Sequence, residues 1–326
     1  MNDNIAHPLD HDILCIDTGD FRHRMVASYL VEQDGHAAFV DTGTARALGR
    51  LMSVLQSRGL SPEQVDYVIP THVHLDHAGG SGSLMQLCPN AKLVIHPRGA
   101  PHMVDPSKLI AGSLIVYGEE VFARDFDTLH PVPQERVIVA EDGYELELGG
   151  RRLSFLDTPG HANHHFCVFD HRSRGFFTGD TFGISYREFD SDLGPFLFAP
   201  TTPVAFDPEA WISSVDRMLS YQPEWMYLTH FGAILPTPEQ VDQLKASIRR
   251  MAEIALAEEV GNPTGRQERI RLGVEAELVA GAMANGSGLD ADGCRELLAF
   301  DADLNAQGLE VWLVRREKAR RAGMST

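Results

Sequence analysis

The chain has 326 residues, with 28 Lys+Arg against 46 Asp+Glu and a formal net charge of −18 at pH 7. So acidic a chain repels phosphate backbones and anionic lipid, which excludes nucleic-acid and membrane-surface binding unless a local basic patch overcomes the global field. Hydrophobic residues make up 43%, which fits a globular fold with a sizeable core rather than a disordered or fibrous chain.

The N-terminus carries acidic residues where an export signal needs positive charge. The longest apolar runs, such as 109–117, reach less than half of the roughly 20 residues that span a bilayer. Cys15, Cys88, Cys167 and Cys294 form no C-x-x-C pair, so neither a disulfide framework nor a thiolate metal site is indicated. A cytoplasmic setting is expected.

In chain order, short β-branched and apolar runs bounded by turn residues predict strands at 13–17, 28–32 and 37–41, then 67–70 and 93–96. Further strands are predicted at 136–140, 144–148, 153–157, 166–170, 175–178 and 225–228. Apolar residues Leu48, Leu51, Met52 and Leu55 form a helical stripe over 45–58, and Trp211, Val215 and Leu219 form another over 207–221, opened by Asp207-Pro208. After Pro236 strand signals stop. Helices are predicted at 238–259, 264–285, 290–298 and 304–321, giving an α/β body over 1–236 and a helical extension over 237–326. Segment 182–206 fits neither pattern. Its aromatic residues predict a long ordered loop, with Tyr186, Phe189, Phe196 and Phe198 read either as substrate-binding residues or as anchors to the core.

The chemistry concentrates in Thr71-His72-Val73-His74-Leu75-Asp76-His77-Ala78-Gly79-Gly80, directly after a predicted strand. In extended backbone His72 and His74 project to one side as a chelating pair. Asp76 and His77 add an oxygen and a third nitrogen as the chain turns, and the two glycines allow close backbone approach. Imidazole and carboxylate suit zinc, iron or manganese. The pattern H-x-H-x-D-H arises by chance in on the order of one such chain in four hundred. Three more ligand-type residues follow strands: His161 after Thr158-Pro159-Gly160, Asp180 after Phe177-Thr178-Gly179, and His230 in Leu228-Thr229-His230-Phe231-Gly232.

With these residues in this order, the chain resembles the metallo-β-lactamase superfamily of metallohydrolases from about residue 12 to 235. The resemblance implies a four-layer αββα sandwich with the site at one edge between two sheets. It also implies two divalent metal ions, zinc foremost and iron or manganese as alternatives. His72, His74 and His161 would hold the first, Asp76, His77 and His230 the second, and Asp180 would bridge them. By the same resemblance Asp41, in Val40-Asp41-Thr42-Gly43, supports the ligands from behind unless it is a simple turn residue, and His165 stands close to the site. His164 replaces the glycine common in relatives.

Two metals imply hydrolysis through a bridging hydroxide, with Asp76 as the catalytic residue that orients it and carries the proton to the leaving group. The expected substrate is a small-molecule ester or thioester. The motifs are similar to those of glyoxalase II, although Leu228-Thr229-His230 departs from its Cys-Gly-His context. Alternatives are a lactonase of the acyl-homoserine-lactone type, a phosphodiesterase, a mononuclear-iron persulfide dioxygenase, or a signalling protein with vestigial activity. No nucleic-acid or membrane partner is expected, and the C-terminal helices are read as a surface for capping the pocket or forming a homodimer.

Overall fold

A computed structural model describes residues 5–202 and 205–323. Its contacts divide the chain into two compact units. One comprises Met1–Asp157, His164–Gly179 and Met218–Leu235; the other comprises Thr158–Asn163, Asp180–Arg217 and Pro236–Thr326.

The first unit holds two sheets. The larger runs in sequence order through β1 (Ala6–Leu9), β2 (Ile13–Asp17), β3 (Ala27–Gln33), β4 (His36–Val40), β5 (Val65–Ile69), β6 (Lys92–Ile95) and β7 (Val137–Val139). It is antiparallel as far as β4 and parallel from β4 to β7. The second sheet has the order β13 (Gly232–Ile234), β12 (Trp225–Leu228), β11 (Gly175–Gly179), β10 (Phe166–Asp170), β9 (Arg151–Asp157) and β8 (Glu145–Leu148), with β11 and β12 as its parallel pair.

The period-2 alternation of the strands explains how the layers form. Ile13, Cys15, Tyr29, Val31, Ala38, Val40 and Ile69 point from the first sheet to a core shared with Leu148, Leu153, Phe155, Phe166, Val168 and Phe177 of the second. The intervening residues Leu14, Ile16, Leu30 and Phe39 point the other way, against Leu51, Val54 and Leu55 of α1 (Leu48–Ser57). Both faces are therefore apolar, which is why β2 is buried along its whole length. A buried Arg151 closes one side of the core: its guanidinium bonds both oxygens of Asp170, at 2.9 and 2.5 Å, and the His11 carbonyl at 2.7 Å. The unit also contains α2 (Leu75–Ala78), α3 (Ser81–Leu87), α4 (Ala100–Val104) and α5 (Ser107–Asp125). This is the α/β sandwich that the sequence implies.

Helix α6 (Pro208–Leu219) lies between β11 and β12 in the chain, and α7 (Pro238–Ala257), α8 (Arg266–Ala284) and α9 (Ala291–Arg321) follow β13. Thr237 and Asp290 cap α7 and α9 through bonds to the Gln240 and Gly293 amides. The two helices predicted at 290–298 and 304–321 are one. No Gly or Pro interrupts 299–303, and Leu298, Ala302, Asn305, Leu309 and Trp312 continue a single buried stripe. Among the described residues no helix is long and apolar enough to cross a membrane.

The remaining differences are elements that the pattern left out. Strand β1 contains Pro8 and lies at a sheet edge, where a missing N–H is tolerated, and β13 has only three residues. Helices α2 to α5 are short or lack a clean apolar stripe; in α5 only Ser113 is fully buried.

Candidate metal centre

Strand β5 delivers the chain to Thr71, and the ligand-bearing turn is then fastened to the turn after β4. The Thr42 amide donates to the His77 carbonyl at 2.8 Å and the Gly80 amide to the Gly43 carbonyl at 2.9 Å. A Cβ on Gly80 would stand 2.9 Å from the Thr44 carbonyl oxygen, and one on Gly79 would meet the Leu75 carbonyl at 2.3 Å. Close approach, rather than an unusual backbone angle, is thus what these two glycines permit.

Asp41 is the hub of this arrangement. It is fully buried with φ +53, and its carboxylate accepts from the Thr71 amide at 2.7 Å, the Thr71 hydroxyl at 3.0 Å, the Thr229 hydroxyl at 2.6 Å and His77 Nδ1 at 2.8 Å. Four donors aimed at one carboxylate leave it only as an acceptor, so Nδ1 of His77 carries the proton and Nε2 keeps its lone pair. His230 is set in the same way: its Nδ1 lies 2.8 Å from the Met25 carbonyl oxygen, which can only accept. Both Nε2 atoms face Asp76, at 3.6 Å from His77 and 3.2 Å from His230. The ligand-type atoms of Asp76, His77 and His230 all lie within 4.8 Å of one another. Two imidazole lone pairs and a carboxylate oxygen directed at each other repel unless a cation lies among them, so this donor set fits a divalent metal.

Beside this trio, His72 Nε2 lies 2.8 Å from His74 Nδ1, and His72 Nδ1 lies 3.2 Å from the Thr71 hydroxyl. His165 is fully buried and stacks on His72, with centroids 4.6 Å apart. Gly179 makes room for it: a Cβ there would lie 2.5 Å from His165 Nε2 and from the Thr71 hydroxyl. His164 extends the row, its ring 6.1 Å from His72 and 6.4 Å from His102.

The second unit carries His161 and Asp180. His161 Nδ1 lies 2.8 Å from the Pro200 carbonyl, which again leaves Nε2 as the lone-pair nitrogen, 3.3 Å from Asp180 Oδ2. Gly160, at φ +130, sits where any Cβ would come within 2.3 Å of Trp211. The Trp211 indole in turn donates to the Thr181 carbonyl at 2.7 Å, and the Ser214 hydroxyl to the Pro159 carbonyl at 2.7 Å. The turn that carries His161 is therefore clasped by α6.

The family model described as Metallo-beta-lactamase superfamily matches residues 22–230 of this chain. The chain belongs to the metallo-β-lactamase superfamily. Among the proteins similar to it is the metallo-beta-lactamase fold-containing protein ST1585 of Sulfurisphaera tokodaii, 27% identical over 66% of this chain and 78% of that protein. Another is the atrochrysone carboxyl ACP thioesterase of Claviceps purpurea, 25% identical over 73% of this chain and 62% of that protein. The solved structure of the metallo-beta-lactamase family protein TTHA1429 from Thermus thermophilus covers 90% of this chain and 89% of its own, with a TM-score of 0.61 at 24% identity, and so shares the fold. Superfamily members are mostly hydrolases, and the cluster here is compatible with divalent metal.

The aromatic loop has turned inward. Tyr186, Phe189, Phe196 and Phe198 are all buried, with Phe189 and Phe196 edge to face and Phe196 stacked with Phe198. The Tyr186 hydroxyl donates to Asp301 of α9 at 2.8 Å. Phe196 and Phe198 also line a groove of about 540 Å³ with Gln240 and Gln243 of α7 and Leu278 and Gly281 of α8. One acidic residue near the ligands escaped the sequence reading. Asp20 is buried, accepting from the Thr44 amide and hydroxyl at 2.8 and 2.6 Å. Burial raises its carboxyl above the usual range, the Thr44 and Thr18 bonds oppose this, and the Asp76 charge adds to the rise. Its only sequence signal is the turn Thr18-Gly19-Asp20 after β2.

Proposed function

We propose that this protein is a binuclear metal-dependent hydrolase of a small-molecule thioester or ester. In this reading His72, His74 and His161 would hold one ion and Asp76, His77 and His230 the other, with Asp180 serving both and zinc as the metal. The carrying observation is the convergence of the His77 and His230 lone pairs on the Asp76 carboxylate, with both tautomers set by acceptors behind the rings. All the residues of the two sets offer imidazole nitrogen or carboxylate oxygen. The thioesterase name of a relative supports an acyl substrate over a phosphodiester.

Bound divalent ions there would acidify a water molecule and polarise the acyl carbonyl. The chain's own part is positional and protonic. Asp41 and the Met25 carbonyl hold His77 and His230 against rotation, so their lone pairs stay directed without reorganisation. Asp76 is the most solvent-accessible of its trio, which suits it to accept the proton of the attacking water and pass it to the departing thiolate or alkoxide. The acyl carbon–sulfur or carbon–oxygen bond breaks, leaving a carboxylic acid and a thiol or alcohol.

Metal quantification alongside a panel of thioester, ester, lactone and phosphodiester substrates tests the proposal. About two ions per chain and acyl hydrolysis abolished by His72→Ala and Asp180→Ala are expected. One iron per chain with oxygen consumption on persulfide would overturn it.

A further inference from the structure

The longest apolar run of the sequence, 109–117, has no part in the metal centre. It forms the first half of α5, and it is poorly buried for so apolar a segment: Ile115 is 86% exposed, and only Ser113 of the helix is buried. A helix that serves only as core hides its apolar stripe, whereas a half-open one marks a surface that meets something else.

The inner side of α5 packs on the ligand-bearing turn. Leu109, Ile110, Tyr117 and Phe122 cluster with Leu75, Phe126 and Leu129, and Leu75 stands between His74 and Asp76 in the chain. The Tyr117 ring lies 4.8 Å from that of Phe126. On the other side of Phe126, Phe21 meets it edge-on at 5.7 Å, 39% exposed and held at φ +61. The helix bends between its halves at Gly118, where φ is +79. Partial burial in this cluster pushes the Tyr117 phenol well up, and the Asp76 carboxylate adds to that rise.

Resting on the hydrolase reading above, we propose that α5 and Phe21 form the acyl wall of the site and that the substrate's acyl group is apolar, a medium-length alkyl chain or an aromatic ring. Leu109, Ile110, Tyr117, Phe122 and Phe126 give the wall an apolar side, so it gains free energy from hydrocarbon and would leave the donors and acceptors of a polar acyl group unpaired. If each added methylene is buried against it, binding strengthens by about fourfold per methylene.

The test uses the full-length, metal-loaded protein and N-acetylcysteamine thioesters from butanoyl to decanoyl. It is paired with calorimetric binding of the matching S-alkyl thioethers, which cannot be hydrolysed. For the wild type, kcat/KM and thioether affinity should both climb with chain length. Phe21→Ser combined with Tyr117→Ser should flatten both slopes at unchanged metal content, while Tyr117→Phe keeps them. Chain-length indifference in the wild type, slopes retained in the double variant, or no thioether binding at all would overturn the wall. Sloped thioether binding with no thioester cleavage would instead uphold the wall and overturn the hydrolase reading.

Discussion

The two stretches with the most unusual side chains, 71–80 and 182–206, use burial in opposite ways. The first packs imidazoles against the buried carboxylate of Asp41, which accepts four bonds to hold Thr71, His77 and Thr229 in place. The second buries Tyr186, Phe189, Phe196 and Phe198 against one another and against the helices that follow, where dispersion and area suffice. Polar groups gathered without function are a cost, while aromatic groups gathered without function are simply core. The difference is one of chemistry, ligand-type atoms gathered in one stretch and aromatic surface in the other, even though both stretches stand out in composition.

The largest expected effect breaks the first member of the pair. On the binuclear hydrolase proposal, His77→Ala should remove one ion and lower kcat/KM by at least about a thousandfold, since the proposed nucleophile needs both; elemental analysis and steady-state kinetics read this directly. Phe189→Ala should act oppositely, costing about 3–5 kcal/mol of unfolding free energy through a core cavity while the metal stoichiometry stays the same. A Phe189→Ala protein of normal stability and altered substrate preference would undo the contrast.

A subtler change sharpens the role of the hub. Asp41→Asn keeps the shape but cannot accept from every donor now pointing at it, so metal affinity should fall by about 10- to 100-fold, measurable by chelator competition. Tyr186→Phe removes a single bond to Asp301 and should cost about 1 kcal/mol in denaturant unfolding, with catalysis unchanged.

The smallest effect is in pH. Burial would raise the Asp170 carboxyl, but the Arg151 ion pair outweighs it and leaves the group below the usual carboxylate range. Its pairing therefore stabilises the fold above the unfolded value near 3.8 and is lost as pH falls through the lower folded value. Acid melting curves of Asp170→Asn should be flatter than those of the wild type in that window.

Much of the site was legible because its densest part lies within one short stretch. His72, His74, Asp76 and His77 occur within six residues, so their chemistry is readable before any folding. His165 was reachable only through the resemblance, and its contact with His72 depends on a glycine, Gly179, whose importance is a matter of what a Cβ would strike. The acceptors that set the tautomers of His161 and His230 are the backbone carbonyls of Pro200 and Met25. Every residue has such a carbonyl, so nothing in the side-chain pattern singles these out. The strand pattern was readable for the same reason that it works physically, namely alternation between two apolar faces. Helices α2 to α5 were not, because short helices and a half-open one carry no full stripe.

Composition and spacing determined the acidic character, the order of the strands, the helical end of the chain and the set of metal-ligating residue types. Those properties depend on local periodicity and on residue identity, which the linear chain states outright. Only the tertiary structure decided that the aromatic loop is buried, that residues 291–321 form one helix, and that the apolar run 109–117 stands half open beside the turn bearing Asp76. Each of those outcomes turns on which surfaces meet, and apolar residues spaced alike serve equally well as core or as binding wall until a neighbouring element covers them.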